Sequence, residues 1–187
     1  MKIKIKKFKK VKSTNDIALK LIKQNIPGPI LILSKQQTNG RGRVGRKWIS
    51  KNGNLFISLF FRFDQTKINF KQFAILNAFL LKKAISSKIS NRIKIKWPND
   101  LLYNNQKFCG ILQEVVRFND FDYIIIGIGL NTNVAPINKS FNSTCLKNIL
   151  NQKVNNQKIL RKIIGAYEKF LMEKNKLSFL NLKRKYQ

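Results

Sequence analysis

Along the chain the spacing of apolar and polar residues changes period several times, and each change marks an element. Residues Lys2 to Val11 alternate basic with apolar side chains, the period of a half-buried strand, although a frayed basic tail would give the same string. The period then lengthens. Ser13-Thr14-Asn15-Asp16 fits a Ser-x-x-Asp capping box, and Ile17, Ala18, Leu21 and Ile22 form one stripe of a helix reaching about Gln24. Pro27-Gly28-Pro29 breaks that helix, and Ile30 to Ser34 reads as a short buried strand. Gln36 to Lys51 is polar and glycine-rich, a long loop. Leu55 to Phe63 is a β-type run, and Phe70 to Ile89 carries Phe73, Leu76, Leu80 and Ala84 at helical spacing. Arg92 to Trp97 alternates as a strand, Pro98-Asn99-Asp100 turns, and Leu101 to Tyr103 leads through Asn104-Asn105-Gln106 to a strand from Lys107 to Phe118. A turn at Asn119-Asp120 feeds a strand from Tyr123 to Leu130. Beyond a loop holding Asn131, Asn133 and Pro136, the remainder is helical in pattern up to a basic tail at Lys183 to Lys185. Short hairpin connections in the middle, with helices before and after, predict an α+β fold: a mixed, mostly antiparallel sheet flanked by helices.

At 187 residues, 43% hydrophobic and 25% charged, the chain is sized for one globular domain, with no repeat and no linker visible in it. Its longest apolar runs, Ile30 to Leu33 and Ile124 to Leu130, fall far short of the roughly 20 residues of a bilayer-spanning helix. The first residues lack the apolar stretch of a secretory signal, so a cytoplasmic protein with no membrane contact is expected. Cys109 and Cys145 are neither paired like a metal knuckle nor dense like a disulfide scaffold, and read as reduced core residues. There is no histidine. That excludes Ser-His hydrolysis and His-ligated zinc.

The net charge of +30 invites a nucleic-acid reading. However, the chain holds 30 Lys, 22 Asn and 25 Ile against 8 Arg, the mix that codon drift toward A and T produces, and the lysines are spread from Lys2 to Lys185. The total charge is therefore weak evidence. Against that background the 8 arginines and 8 acids carry more information.

Three of those arginines stand within Gly40-Arg41-Gly42-Arg43-Val44-Gly45-Arg46-Lys47-Trp48. Glycines let backbone N–H groups approach an anion, and guanidinium forks grip phosphate or carboxylate, so the segment reads as an anion cradle. A flexible surface loop and an RNA-binding arginine loop stand level with that reading on the segment alone. The string also matches G-x-G-x-x-G, but no helix pattern follows it, which rules out a dinucleotide-binding turn. Lys96-Trp97-Pro98-Asn99-Asp100 presents an amide beside a carboxylate at a turn. Lys107-Phe108-Cys109-Gly110-Ile111-Leu112 places a glycine inside a strand, the mark of a bulge or of close approach by another group. Gly127-Ile128-Gly129-Leu130-Asn131 ends an apolar strand with a second glycine pair.

Together, in this order, these segments resemble the catalytic domain of biotin protein ligases, biotin–[acetyl-CoA-carboxylase] ligases, over about Phe8 to Leu171. The family's stretches appear here as Ser13-Thr14-Asn15, Gln37, Gly40 through Trp48, Lys96 through Asp100, Lys107 with Gly110-Ile111-Leu112, and Gly127 through Asn131. The resemblance implies a fold like that of class II aminoacyl-tRNA synthetases. It also implies ATP-dependent formation of biotinyl-5′-AMP and transfer of biotin to one lysine of a biotin carboxyl carrier protein. ATP and biotin are then substrates, and Mg²⁺ is carried mainly by ATP. By the same match, Lys107, Arg43 and Asp100 are catalytic, and Ser13, Thr14, Asn15, Gln37, Gly40, Arg41, Gly42, Arg43, Lys107, Gly110 and Leu112 bind biotin. Arg43, Arg46, Trp48, Lys96, Asn99, Asp100 and Asn131 fall on the ATP side, with Trp48 able to stack on the adenine. No protein metal ligand is implied.

Neither a helix-turn-helix domain before Ser13 nor a complete SH3-like domain at the other end is expected, which would set the chain apart from many members of the family. A single catalytic domain over 1–187 is expected, with no specific DNA target, with ATP affinity in question and with room for a homodimer. Asn39 and Cys109 replace residues that are usually small, without removing any reacting group. Two rivals remain. One is a lipoate or octanoate ligase or transferase of the same fold, against which the arginine loop argues. The other is an RNA-binding module, which leaves Gln37 and Lys96 to Asp100 unexplained.

Overall fold

The computed structural model describes residues 1–85, 92–137, 141–174 and 176–187. Among these, seven strands form one sheet in the order β1 (Lys4–Phe8), β2 (Ile30–Ser34), β3 (Leu55–Arg62), β7 (Phe121–Leu130), β6 (Gln106–Phe118), β5 (Asp100–Tyr103) and β4 (Ile93–Lys96). β1 and β2 run parallel, joined by helix α1 (Thr14–Lys23), and the other neighbours are antiparallel. This is the expected α+β architecture. Two of the hairpin turns follow from their residues: Asn104-Asn105 and Asn119-Asp120 all have positive φ, as a two-residue turn between twisted strands requires.

The pleat divides the side chains between two cores. Ile57, Leu59, Phe61, Ile124, Ile126 and Ile128 face helices α2 (Phe70–Ile85), α4 (Asn156–Glu173) and α5 (Phe179–Tyr186) in the larger core. On the other face Ile30, Ile32, Phe60, Tyr123 and Ile125 meet Ala18, Leu21 and Ile22 of α1. α1 covers only part of that face, and the functional site occupies the rest. A short helix, α3 (Leu146–Leu150), follows the loop after β7. Cys109 and Cys145 are buried free thiols. No described helix is long and apolar enough to cross a membrane.

Several details differ from the sequence pattern. β1 forms, but as a sheet edge it is exposed along most of its length: Ile5 faces solvent, while Ile3, just outside the strand, and the half-buried Phe8 reach the two cores. Ser13 is the N-cap of α1 by backbone geometry, yet its side chain makes no capping bond, and Asp16 turns instead to Arg41. The central helix ends at Ile85, and the expected stretch to Ile89 lies outside the described residues. Lys183 to Lys185 are not a tail. They lie in α5, where Lys185 pairs with Glu173 at 2.7 Å and Tyr186 packs against Phe170.

Candidate functional site

The floor of the site is cleared by glycine. Strand register places Ser58, Gly127 and Leu112 in one row across β3, β7 and β6, and Phe56, Gly129, Gly110 and Asp100 in the next. Gly127 and Gly129 are two apart, so they point to the same face. A Cβ at Gly127 would collide with the Asn15 amide, and one at Gly129 or Gly110 with the Trp48 ring. The missing side chains are what let a helix end and an indole lie directly on the sheet.

The first turn of α1 supplies one wall. Ser13, Thr14 and Asn15 are buried. The Thr14 N–H and hydroxyl both donate to Gln37 Oε1, at 2.8 and 3.0 Å, and Gln37 Nε2 donates to Ser50 Oγ at 3.1 Å. Ser58 Oγ lies 2.5 Å from Asn15 Oδ1 and 2.7 Å from Thr14 Oγ1, so its one proton serves one of them at a time. Asn15 Nδ2 donates to Glu114 Oε2 at 2.6 Å.

The arginine-glycine segment forms the roof as a small hairpin. The Trp48 N–H donates to the Gly40 carbonyl at 2.8 Å and the Gly42 N–H to the Arg46 carbonyl at 2.6 Å, with Val44 and Gly45 at positive φ on the tip. At its base Arg41 donates to Glu114 at 2.8 and 3.0 Å and pairs with Asp16 at 2.9 Å. Burial works against the Arg41 charge, but the hydrogen bond and charge of Glu114, with those of Asp16, outweigh it and raise the pKa above the ordinary arginine value. Arg43 Nη1 reaches Asn99 Oδ1 at 3.3 Å across the mouth, and Asn99 Nδ2 is fixed by the Ile111 carbonyl at 2.9 Å.

The far end is cationic. Lys107 Nζ pairs with Asp100 Oδ1 at 2.7 Å and lies 5.3 and 5.2 Å from the Trp48 and Phe141 ring centroids. The cavity measures about 390 Å³. It is lined by Ser13, Thr14, Asn15, Gln37, Arg41, Gly42, Arg43, Arg46, Trp48, Lys96, Asn99, Asp100, Lys107, Gly110 and Leu112, all singled out from sequence.

Two residues singled out from sequence are not brought there. Gly40 is buried at the hairpin base, where a Cβ would meet the Trp48 carbonyl. Asn131 is buried among protein partners: its Nδ2 donates to the Thr144 carbonyl at 3.2 Å and its Oδ1 accepts from Asn54 at 3.4 Å. It joins the end of β7 to the segment before α3 rather than facing the cavity. Trp48, read from sequence as an adenine shield, lies on the glycine floor. Sequence reasoning missed Asp16, Ser58, Glu114 and Phe141. The scarcity of acids pointed toward Glu114, which follows Gly110 at even spacing and so shares its face of β6.

A model of the biotin/lipoate A/B protein ligase family matches residues 7–131, two thirds of the chain. The chain belongs to that family. It is 34% identical over 164 residues to the bifunctional ligase/repressor BirA of Bacillus subtilis, an alignment covering 84% of this chain and 50% of that protein. It is 35% identical over 127 residues to the biotin–[acetyl-CoA-carboxylase] ligase of Paracoccus denitrificans, covering 66% and 52%. The chain thus spans about half the length of the curated relatives it matches. Among solved structures, a biotin protein ligase from Aquifex aeolicus in complex with biotin and ATP superposes with a TM-score of 0.82 at 27% identity, over 98% of this chain and 77% of that one. The mixed seven-stranded sheet flanked by helices is the fold of these ligases.

Proposed function

We propose that this chain joins biotin to ATP, giving biotinyl-5′-AMP and pyrophosphate, and passes the biotinyl group to a lysine of a biotin carboxyl carrier protein. The observation that carries the reading is one cavity lined both by uncharged hydrogen-bonding side chains, Thr14, Asn15 and Gln37, and by cationic ones, Lys107, Arg43 and Arg46. A ligand with a neutral polar head and an anionic tail suits such a cavity, and biotin, with its cyclic urea and its carboxylate, is such a ligand. The names of the relatives support the same choice within a family that also includes lipoate ligases.

In the first step a biotin carboxylate oxygen attacks the α-phosphorus of ATP and the bond to pyrophosphate breaks. A carboxylate, with a pKa of roughly 4 to 5, is already ionised at neutral pH, so a site without histidine suffices. Lys107, Arg43 and Arg46 stabilise the negative charge that gathers there. Mg²⁺ would supply further charge neutralisation from the triphosphate. The ion is expected to arrive with the nucleotide, as is usual for Mg²⁺. In the second step the acceptor amine attacks the acyl carbon, AMP leaves, and the amine loses a proton. Asp100 is the carboxylate beside Lys107 in the cavity, either as the proton acceptor or as the group that orients Lys107.

Thermal melting tests the ligand class. Biotin with ATP should stabilise the protein, by about 2.7 kcal/mol at one hundred times the dissociation constant, and RNA at physiological salt should not compete. Stabilisation by lipoate and not by biotin would move the chain to the other branch of its family.

A further inference from the structure

The Arg41 guanidinium is committed to protein at both terminal nitrogens. Nη1 and Nη2 take the two oxygens of Glu114, and Nη2 also takes Asp16. These partners come from separate elements, Asp16 from the first turn of α1 and Glu114 from β6, and Arg41 stands at the base of the hairpin opposite Lys47. In a chain with 38 basic and 8 acidic side chains, two acids on one arginine are not background pairing. Glu114 in addition holds Asn15, so one carboxylate fixes both the helix start and the hairpin base.

We propose that Arg41, Asp16 and Glu114 form a latch that clamps the arginine-glycine hairpin over the cavity, so that Glu114 and Arg41 act as positioning residues for Arg43 and Arg46. A bidentate guanidinium–carboxylate pair fixes direction as well as distance, and from the base of a two-stranded hairpin it sets where the tip points. Toward the tip one side-chain tether is in place, Arg43 to Asn99 at 3.3 Å. Val44 is β-branched, 92% exposed and at positive φ, a conformation that such residues adopt at a cost. The latch holds a roof that would otherwise open, and the consequence for retention of an adenylate rests on the function proposed above.

The test uses trypsin, whose cleavage sites Arg43, Arg46 and Lys47 lie in the hairpin itself. Glu114→Gln and Asp16→Asn should each speed cleavage within 43–47 by about 5- to 10-fold, as loss of a partly exposed charge-assisted pair allows, with the melting temperature little changed. The double variant Arg41→Gln/Asp16→Asn should cleave no faster than Arg41→Gln alone, because Asp16 meets the hairpin through Arg41. Asp16 is surface-accessible, so Asp16→Asn keeps the test valid if Glu114→Gln does not fold. Unchanged hairpin cleavage in folded Asp16→Asn, or additive effects in the double variant, would overturn the latch. The second readout is dissociation of biotinyl-5′-AMP, expected to be about 5- to 10-fold faster in each single variant. Wild type that does not bind biotinyl-5′-AMP would refute the proposed function, while the proteolysis result would still decide the latch.

Discussion

Lys107 Nζ lies 2.7 Å from Asp100 Oδ1, with the two side chains 17% and 18% exposed. They are not partners in the β-ladder: Asp100 pairs with Gly110, and Lys107 with Leu102. The lysine reaches back along the sheet to the carboxylate, over space that Gly110 leaves free, since a Cβ there would press on Lys107 Nζ and Cε at 3.3 Å. The pair thus presents a fixed cation and a fixed anion at the charged end of the cavity.

Lys107→Ala should lower the rate of adenylate formation by about 10²- to 10³-fold, the usual effect of removing one charged donor aimed at developing charge. It should also destabilise the fold by about 1 to 3 kcal/mol, because Asp100 loses its partner in a half-enclosed place. Pyrophosphate release and denaturant melts measure the two effects. Adenylate formation at the wild-type rate would remove Lys107 from the chemistry.

Asp100→Asn separates the two roles open to that carboxylate. As a base for the acceptor lysine, whose free pKa is near 10.4, it should matter when purified biotinyl-5′-AMP is supplied and only transfer is measured. Undiminished transfer with slowed adenylation would assign Asp100 to orienting Lys107.

Gly129→Ala tests the glycine floor. The new methyl group must displace the Trp48 ring into the cavity, and overpacking of this kind costs about 1 to 3 kcal/mol. Biotin affinity measured by titration calorimetry should fall about 5- to 150-fold, because the displaced indole occupies ligand space. Unchanged affinity would mean that the ring has room to move elsewhere.

The Glu173 clasp gives a pH-dependent prediction. Burial works to raise the Glu173 carboxyl, but hydrogen bonds from Lys185 and Tyr186 outweigh it and hold it below the usual glutamate range. A depressed carboxylate adds stability that is complete above its unfolded pKa of about 4.3 and disappears as pH falls through the folded value. Glu173→Gln should therefore cost about 0.5 to 1 kcal/mol at pH 7, the range of ion pairs open to solvent, and nothing at the acid end of the titration. Equal losses at both pH values would contradict the clasp.

Most strands and the central helix were legible because their periods are clean: Ile30 to Ser34 matches β2 end to end. Ile5 misled because alternation reports a strand but not whether the strand lies at an edge. Asn131 misled differently, as its motif position is equally well served by a buried amide that ties β7 to the next segment. Glu114 was hidden because its partners Asn15 and Arg41 lie 99 and 73 residues away, a relation that only the folded sheet creates. The glycine pair of β7 shows the opposite case. Its spacing was visible in the sequence, and the reason for it appears once Asn15 and Trp48 are in place.

Incubating the protein with radiolabelled biotin, ATP and a purified biotin carboxyl carrier domain, then counting label bound to the carrier, decides whether the chain is a biotin ligase. ATP-dependent incorporation at a single carrier lysine is expected, abolished when that lysine is replaced by arginine. No incorporation of biotin, with lipoate incorporated under the same conditions, would contradict that reading.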